Sequence, residues 1–310
     1  MYFLNQEEKK QLARFYLPRA RESGVAEELR GWHWDQPPLL PIYDVRLGVF
    51  DIAGQYCQQG RDLYFRRVER RKGNATKDML QGKLFHALIA KVITLSKRYI
   101  YSNGIENVSG FKDRVYQEGL KGFEKELENV YANSIEEWRE ETLNRGKELL
   151  RFEVERIWSQ VQEVLLHQPY VQEDSLVALA IPVVVEQKLN GSFLGLSSML
   201  STDALTYSEP VVVDLKFGPQ RDFHRLSTTG YALALEALHD FPVNIGCIVY
   251  AQYKNGRWLI QRDIHVIGDE LRQRFIEERD EKMRMVYEEI DPGPEINCKV
   301  ECAYAEECVG

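Results

Sequence analysis

The chain has 310 residues, 44% of them hydrophobic and 28% charged, enough to build a sizeable core in one large domain or two. A formal net charge of −8 excludes a chain that is basic throughout, so any nucleic-acid contact has to come from local basic patches. No apolar run approaches the roughly 20 residues that cross a bilayer, and the start turns polar at Asn5-Gln6-Glu7-Glu8, so a cytoplasmic chain with no membrane segment is expected.

Residues 1–45 read as an N-terminal accessory segment. An amphipathic helix over 6–22 leads into the Trp- and Pro-bearing loop Gly31-Trp32-His33-Trp34-Asp35-Gln36-Pro37-Pro38. Residues 46–75 hold Cys57 and the basic run Arg66-Arg67-Val68-Glu69-Arg70-Arg71-Lys72, which is either a nucleic-acid patch or a solvated helix end. Residues 76–170 are helical. Thr76 is an N-cap candidate, with Leu80, Leu84, Leu88 and Val92 on one stripe. Gly82 and His86 share a face of that helix, and a long charged helical stretch covers 111–168. Over 171–265 the pattern turns to β. Strands are expected at 177–189, 193–205, 211–217, 243–253 and 258–266, with a helix at 223–237 between the third and fourth. Residues 266–310 give a helix over 269–289 and a tail holding Cys298, Cys302 and Cys308. Strands interleaved with helices make a mixed α/β core.

The chemistry concentrates in a predicted hairpin. Residues 211–217 alternate, with Val211, Val213, Leu215 and Phe217 on an apolar face and Val212, Asp214 and Lys216 on the other. With residues 207–210 as the turn, Thr206 pairs with Val211, and Asp203 falls opposite Asp214. Cross-strand Cβ atoms lie roughly 5 Å apart, so two facing carboxylates call for a cation between them. An acidic residue followed by Asp-x-Lys is the arrangement of metal-dependent phosphodiester hydrolases, with the carboxylates on Mg²⁺ or Mn²⁺ and the Lys beside the reacting phosphate. His86 could add a metal or phosphate contact. Tyr231 and Ser227 share a face of the following helix, and Glu186, on the preceding strand, is an extra acidic candidate.

Of the five cysteines, Cys247 sits in the apolar run Val243-Asn244-Ile245-Gly246-Cys247-Ile248-Val249-Tyr250 and reads as a core thiol. The remaining Cys57, Cys298, Cys302 and Cys308 suit an iron–sulfur cluster or Zn²⁺. Such a group would tie the two ends together across a loop of about 240 residues.

The ordered set resembles the RecB-like nucleases that carry an iron–sulfur cluster: Cys57 in its Tyr-Cys context, Gly82-x-x-x-His86, Asp203, Asp214-x-Lys216, a helix bearing Tyr231, then Cys298, Cys302 and Cys308. It is most similar to the CRISPR-associated exonucleases of the Cas-four family. The long helical additions and the Leu194-Gly195-Leu196-Ser197 run point to the archaeal type I-A Csa-one branch. The resemblance implies a restriction-endonuclease-like PD-(D/E)xK core cleaving DNA with Mn²⁺ or Mg²⁺. His86, Asp203 and Asp214 would be metal ligands and Lys216 the catalytic lysine. Cys57, Cys298, Cys302 and Cys308 would hold a cluster, [4Fe–4S] ahead of [2Fe–2S]. The implied role is trimming single-stranded or duplex DNA ends beside the CRISPR integrase and other spacer-acquisition proteins. Alternatives are a DNA-binding adaptor subunit of the acquisition complex with a weak site, or a zinc-stapled repair nuclease. The sequence departs from the family pattern at Leu200 (usually Gly), at Ser227 (usually Gln) and in the three-residue gap after Cys298. A second register would put Ser198 in the place of Asp203.

Overall fold

The computed structural model describes residues 1–131, 136–206, 210–294 and 302–309. The described elements begin with α1 (Gln6–Gln11), a π-turn at Leu12–Tyr16 and α2 (Leu17–Ser23). The expected first helix is therefore continuous but widened in its middle. Pro18 lacks an N–H and its ring crowds the carbonyl four residues back, and the π-turn relieves that clash. Short helices α3 (Val49–Ala53) and α4 (Arg61–Arg67) precede the long α5 (Lys77–Asn103), α6 (Phe111–Tyr131) and α7 (Glu136–His167). Thr76 caps α5 as expected, its hydroxyl accepting the Met79 N–H at 3.3 Å.

Two expected strands are shorter than the sequence indicates. Residues 177–180 belong to α8 (Glu173–Ala180), and β1 starts only at Val184 (Val184–Leu189). Glu173 and Asp174 favour a helix N-terminus, and Pro182 pushes Ile181 out of the helical region. Residues 193–199 are likewise not strand. Asn190 accepts the Ser192 N–H at 3.0 Å in a local turn, and Gly195 takes φ +70°, so β2 runs Leu200–Thr206.

The remaining elements are β3 (Val211–Lys216), α9 (Arg225–His239), β4 (Ile245–Lys254), β5 (Arg257–Val266), α10 (Asp269–Tyr287) and α11 (Ala305–Val309). The sheet has five strands in the order β1-β2-β3-β4-β5, antiparallel except for the parallel β3–β4 pair. That pair needs a crossover, and α9 supplies it. The chain is thus mixed α/β.

Each face of the sheet carries its own core. Val211, Val213 and Leu215 pack with Leu84, Leu88 and Val92 of α5 and with residues of α6 and α7. Val212 and Leu205 point the other way, into a core built from α9, α10 and the leucines Leu39 and Leu47. The alternation read along 211–217 therefore holds. Cys247 is fully buried, and burial pushes its thiol up to about 12, as befits a core residue.

The first four residues belong to the core beneath the helical layer: Met1, Tyr2, Phe3 and Leu4 are all buried. The Met1 amine contacts the buried Glu153, which Arg156 also grips. Burial would raise the Glu153 carboxyl, but Arg156 and the amine outweigh it and hold it at about 2. Residues 30–39 are fastened to the opposite core. Arg30 and Arg272 both pair with the buried Glu236, and Arg279 donates to the carbonyls of Leu39 and Pro38.

Candidate active site

The hairpin register is Thr206↔Val211, Leu205↔Val212 and Ala204↔Val213. The next pair along would be Asp203 and Asp214, and there the ladder stops. The Asp203 side chain instead accepts the Leu215 N–H at 2.8 Å. On its other side the β1–β2 ladder is interrupted without a change of register: Val185 pairs with Ala204 and Gln187 with Thr202, while the facing residues Glu186 and Asp203 are left out. Glu186 takes φ +52° there, a left-handed backbone that breaks the pairing at this one position. Asp203 is thus unpaired on both sides at the level of Asp214. Ser198 lies in the exposed turn before β2, away from this position.

His86 reaches the hairpin from α5. Its Nδ1 is 3.5 Å from Asp203 Oδ2, and its ring stands perpendicular to Phe217 at 5.2 Å. Burial and the Lys216 charge push His86 down to about 4, so it is a neutral donor of a lone pair at pH 7. A Cβ on Gly82, one turn earlier, would meet nothing within 4 Å, so the space over that face of the helix is open.

Asp214 is buried and Lys216 Nζ stands 2.8 Å from its Oδ2. The contact is an ion pair at hydrogen-bond distance. Burial raises the Asp214 carboxyl to about 6, against the pull of Lys216 and with the push of Asp203. Burial also raises Asp203, partly offset by the Leu215 N–H and Lys216. Burial would lower Lys216, but Asp214 outweighs it and the ammonium is stabilised. Tyr231, on α9, is raised by burial and then by Asp214 and Asp203.

Tyr2 and His224 are neighbours of the site that sequence reading missed. The Tyr2 hydroxyl lies 3.4 Å from His86 Nδ1, and burial followed by Asp203 and Asp214 raises it well above its usual value. His224 Nδ1 is 3.1 Å from the Tyr250 hydroxyl, and Tyr250 is the cross-strand partner of Lys216. No periodicity marks either residue; only the packing of distant segments reveals them.

His86, Asp203, Asp214 and Lys216 are thus brought together, with Tyr231, Tyr2 and Glu186 around them. Carboxylates and a neutral imidazole fit Mg²⁺ or Mn²⁺ by donor type, and among the described residues the buried Asp214 carboxylate has one ion-pair partner, Lys216. Among the described residues no trio of His, Cys, Asp or Glu stands in coordination geometry; the Lys216 ammonium takes the place beside Asp214.

The two ends of the chain meet elsewhere. The Asn74 N–H donates to the Ala303 carbonyl at 2.7 Å, and the Tyr304 ring packs on Phe65 at 5.7 Å. Arg61 grips Asp291 with two bonds of 2.8 Å and also hydrogen-bonds Cys308. The Cys57 carbonyl accepts the Gly60 N–H at 3.1 Å, one residue before Arg61. Segments bearing Cys57, Cys302 and Cys308 therefore pack against each other, while Cys298 lies outside the described residues.

A family model for the CRISPR-associated exonuclease Csa1 matches residues 1–310. The chain belongs to the Csa1 family. A protein called CRISPR-associated exonuclease Csa1 from Saccharolobus solfataricus is 32% identical over 295 residues, covering 92% of this chain and 92% of the relative. A Csa1 protein of the same description from Thermoproteus tenax is 29% identical over 284 residues, covering 92% and 91%. No solved structure matches. The Csa1 family thus bears out the resemblance carried by the hairpin, His86 and the cysteine tail. Among the described residues no helix is long and apolar enough to cross a membrane.

Proposed function

We propose that the chain is a metal-dependent DNA exonuclease with a RecB-like, PD-(D/E)xK active site, trimming DNA ends during CRISPR spacer acquisition. The observation that carries this reading is the pair of the buried Asp214 and the part-buried Asp203, set beside Lys216 and His86 where both ladders flanking β2 lose Asp203. His86, Asp203 and Asp214 would hold Mn²⁺ or Mg²⁺. The bound cation supplies Lewis-acid polarisation of a phosphate oxygen and a water of lowered pKa. Lys216 is a protonated ammonium here, so its part is to offset charge on the phosphate rather than to accept a proton. Tyr231, whose hydroxyl is raised partly by Asp214 and Asp203, would be a hydrogen-bond donor to a phosphate oxygen. Cys57, Cys298, Cys302 and Cys308 would hold an iron–sulfur cluster, [4Fe–4S] by preference. Its role is to staple the contact between residues 57–74 and the tail, and the packing of Tyr304 on Phe65 supports that reading. The partners proposed are DNA ends, the CRISPR integrase and other acquisition proteins.

The test compares wild type with Lys216→Ala on 5′- and 3′-labelled single-stranded DNA, with Mn²⁺ and with EDTA. Removal of one charge-stabilising group should slow Mn²⁺-dependent degradation by about 10²–10³-fold. Equal degradation by both proteins would mean that the hairpin is not the active site. The second reading is an adaptor subunit that binds DNA with little catalysis. The absence of coordination geometry among the described residues favours it. No Mn²⁺-dependent degradation by wild type, with DNA binding intact, would select it.

A further inference from the structure

Two large aromatic residues stand in water next to the hairpin site, and the cleavage chemistry does not use them. Phe50 is 54% exposed and Tyr56 is 59% exposed. Their rings stack, with centroids 6.2 Å apart and planes 29° apart. Neither is a loosely held surface side chain. Tyr56 meets Phe223 edge-on at 5.1 Å, and its hydroxyl lies 3.0 Å from His224 Nε2. His224 is buried and joined in turn to Tyr250, the cross-strand partner of Lys216. The ring of Tyr56 is therefore fixed one histidine away from the strand pair that carries the catalytic lysine.

The flank is cationic. The Arg66 guanidinium lies 5.9 Å from the Phe50 ring centroid. Residues 61–72 hold six basic side chains (Arg61, Arg66, Arg67, Arg70, Arg71, Lys72); Arg61 pairs with Asp291, Arg66 and Arg67 share Asp51 and Arg71 pairs with Glu69, so a smaller positive excess is left, in a chain whose overall charge is −8. Exposed, rigid aromatic faces beside a local basic run are what sequence-independent binding of single strands requires: stacking for the bases, cations for the phosphates. A duplex offers no free base faces, so such a surface selects single strands. An ordinary half-packed loop residue would not need a buried histidine to hold its hydroxyl.

We propose that Phe50 and Tyr56 form a stacking platform for nucleobases of a single-stranded DNA end, holding that strand beside Asp214 and Lys216. The placement of the strand rests on the nuclease reading of the hairpin; the binding itself does not.

The test is fluorescence anisotropy with a labelled oligonucleotide of about 12 nucleotides, in EDTA, using Lys216→Ala protein so that nothing is cleaved. Phe50→Leu and Tyr56→Leu, each added to that background, should weaken binding by about tenfold or more. Tyr56→Phe, which keeps the ring, should bind like the parent. On an oligonucleotide of the same length made of abasic residues, the parent and the Leu variants should bind alike, because only the phosphates remain. Iron content and the thermal melt are measured on every variant, since Tyr56 precedes Cys57. Phe50→Leu stands as the independent probe if Tyr56→Leu loses iron. Leu variants that bind the base-bearing strand as tightly as the parent would overturn the platform. A wild type that shows no metal-dependent cleavage while the Leu variants still lose binding would remove the nuclease reading and leave the platform standing.

Discussion

At the scale of single residues, the site depends on side chains held where water would be the cheaper neighbour. Burial holds Asp214 up at about 6, and Lys216 at 2.8 Å favours its ionised form. Tyr2 reaches His86 from the first turn of the chain, at a long 3.4 Å. Tyr2→Phe removes one weak hydrogen bond, worth about 0.5–1.5 kcal/mol. Mn²⁺-dependent cleavage should fall by roughly three- to tenfold, with the urea midpoint little changed. An unchanged rate would mean that Tyr2 only fills space. Asp203, Asp214 and Lys216 were legible in the sequence because the hairpin alternates and Asp-x-Lys falls on one face of it; His86 came from the Gly82-x-x-x-His86 pattern on the upstream helix and the family resemblance. Tyr2, Tyr56 and His224 were not, because their positions relative to the site are set by long-range packing: Tyr2 is 84 residues from His86, and Tyr56 is 168 from His224.

At the scale of elements, α9 and α10 are locked by a buried charge cluster. Glu236 on α9 accepts from Arg272 at 2.7 and 2.8 Å, from Arg30 at 2.9 Å and from the Gly31 N–H at 2.9 Å. Removing its charge with Glu236→Gln leaves two buried guanidiniums against a neutral amide. The loss should be about 3–5 kcal/mol of stability, read by urea unfolding; a loss under about 1 kcal/mol would show the cluster to be well hydrated. Gly31 is part of the same fastening, since a Cβ there would lie 2.1 Å from the Leu233 carbonyl oxygen. The elements themselves were largely readable from periodicity: the capped α5, the third, fourth and fifth strands and the helix between the third and fourth, though not that β3 and β4 pair in parallel. The start of β1 was not. The apolar run at 176–183 suits a strand or a buried helix equally, and Glu173, Asp174 and Pro182 decide for the helix.

At the scale of the whole molecule, acid sensitivity and the joining of the ends are the properties to test. Burial pushes His265 down to about 4, between Thr228 at 3.0 Å and the Asp263 carbonyl at 3.1 Å. A histidine depressed on folding contributes stability above its unfolded pKa near 6.5, and that contribution is lost as the pH falls toward 4. The urea midpoint of wild type should therefore drop more steeply between pH 7 and pH 4.5 than that of His265→Asn; parallel curves would contradict the assignment. Protein purified without oxygen should be coloured and contain iron, and Cys57→Ser should lose both and loosen the packing of residues 302–309 on residues 61–74, read as faster protease cleavage there. A colourless, iron-free wild type would exclude the cluster. The central claim is that the β2–β3 hairpin is a metal-dependent nuclease site, and the most direct measurement is Mn²⁺-dependent nucleotide release from end-labelled single-stranded DNA by wild type and by Asp214→Asn. The expected result is release by wild type that EDTA abolishes and that Asp214→Asn lowers by about 10²-fold or more; equal release by the two proteins would contradict it.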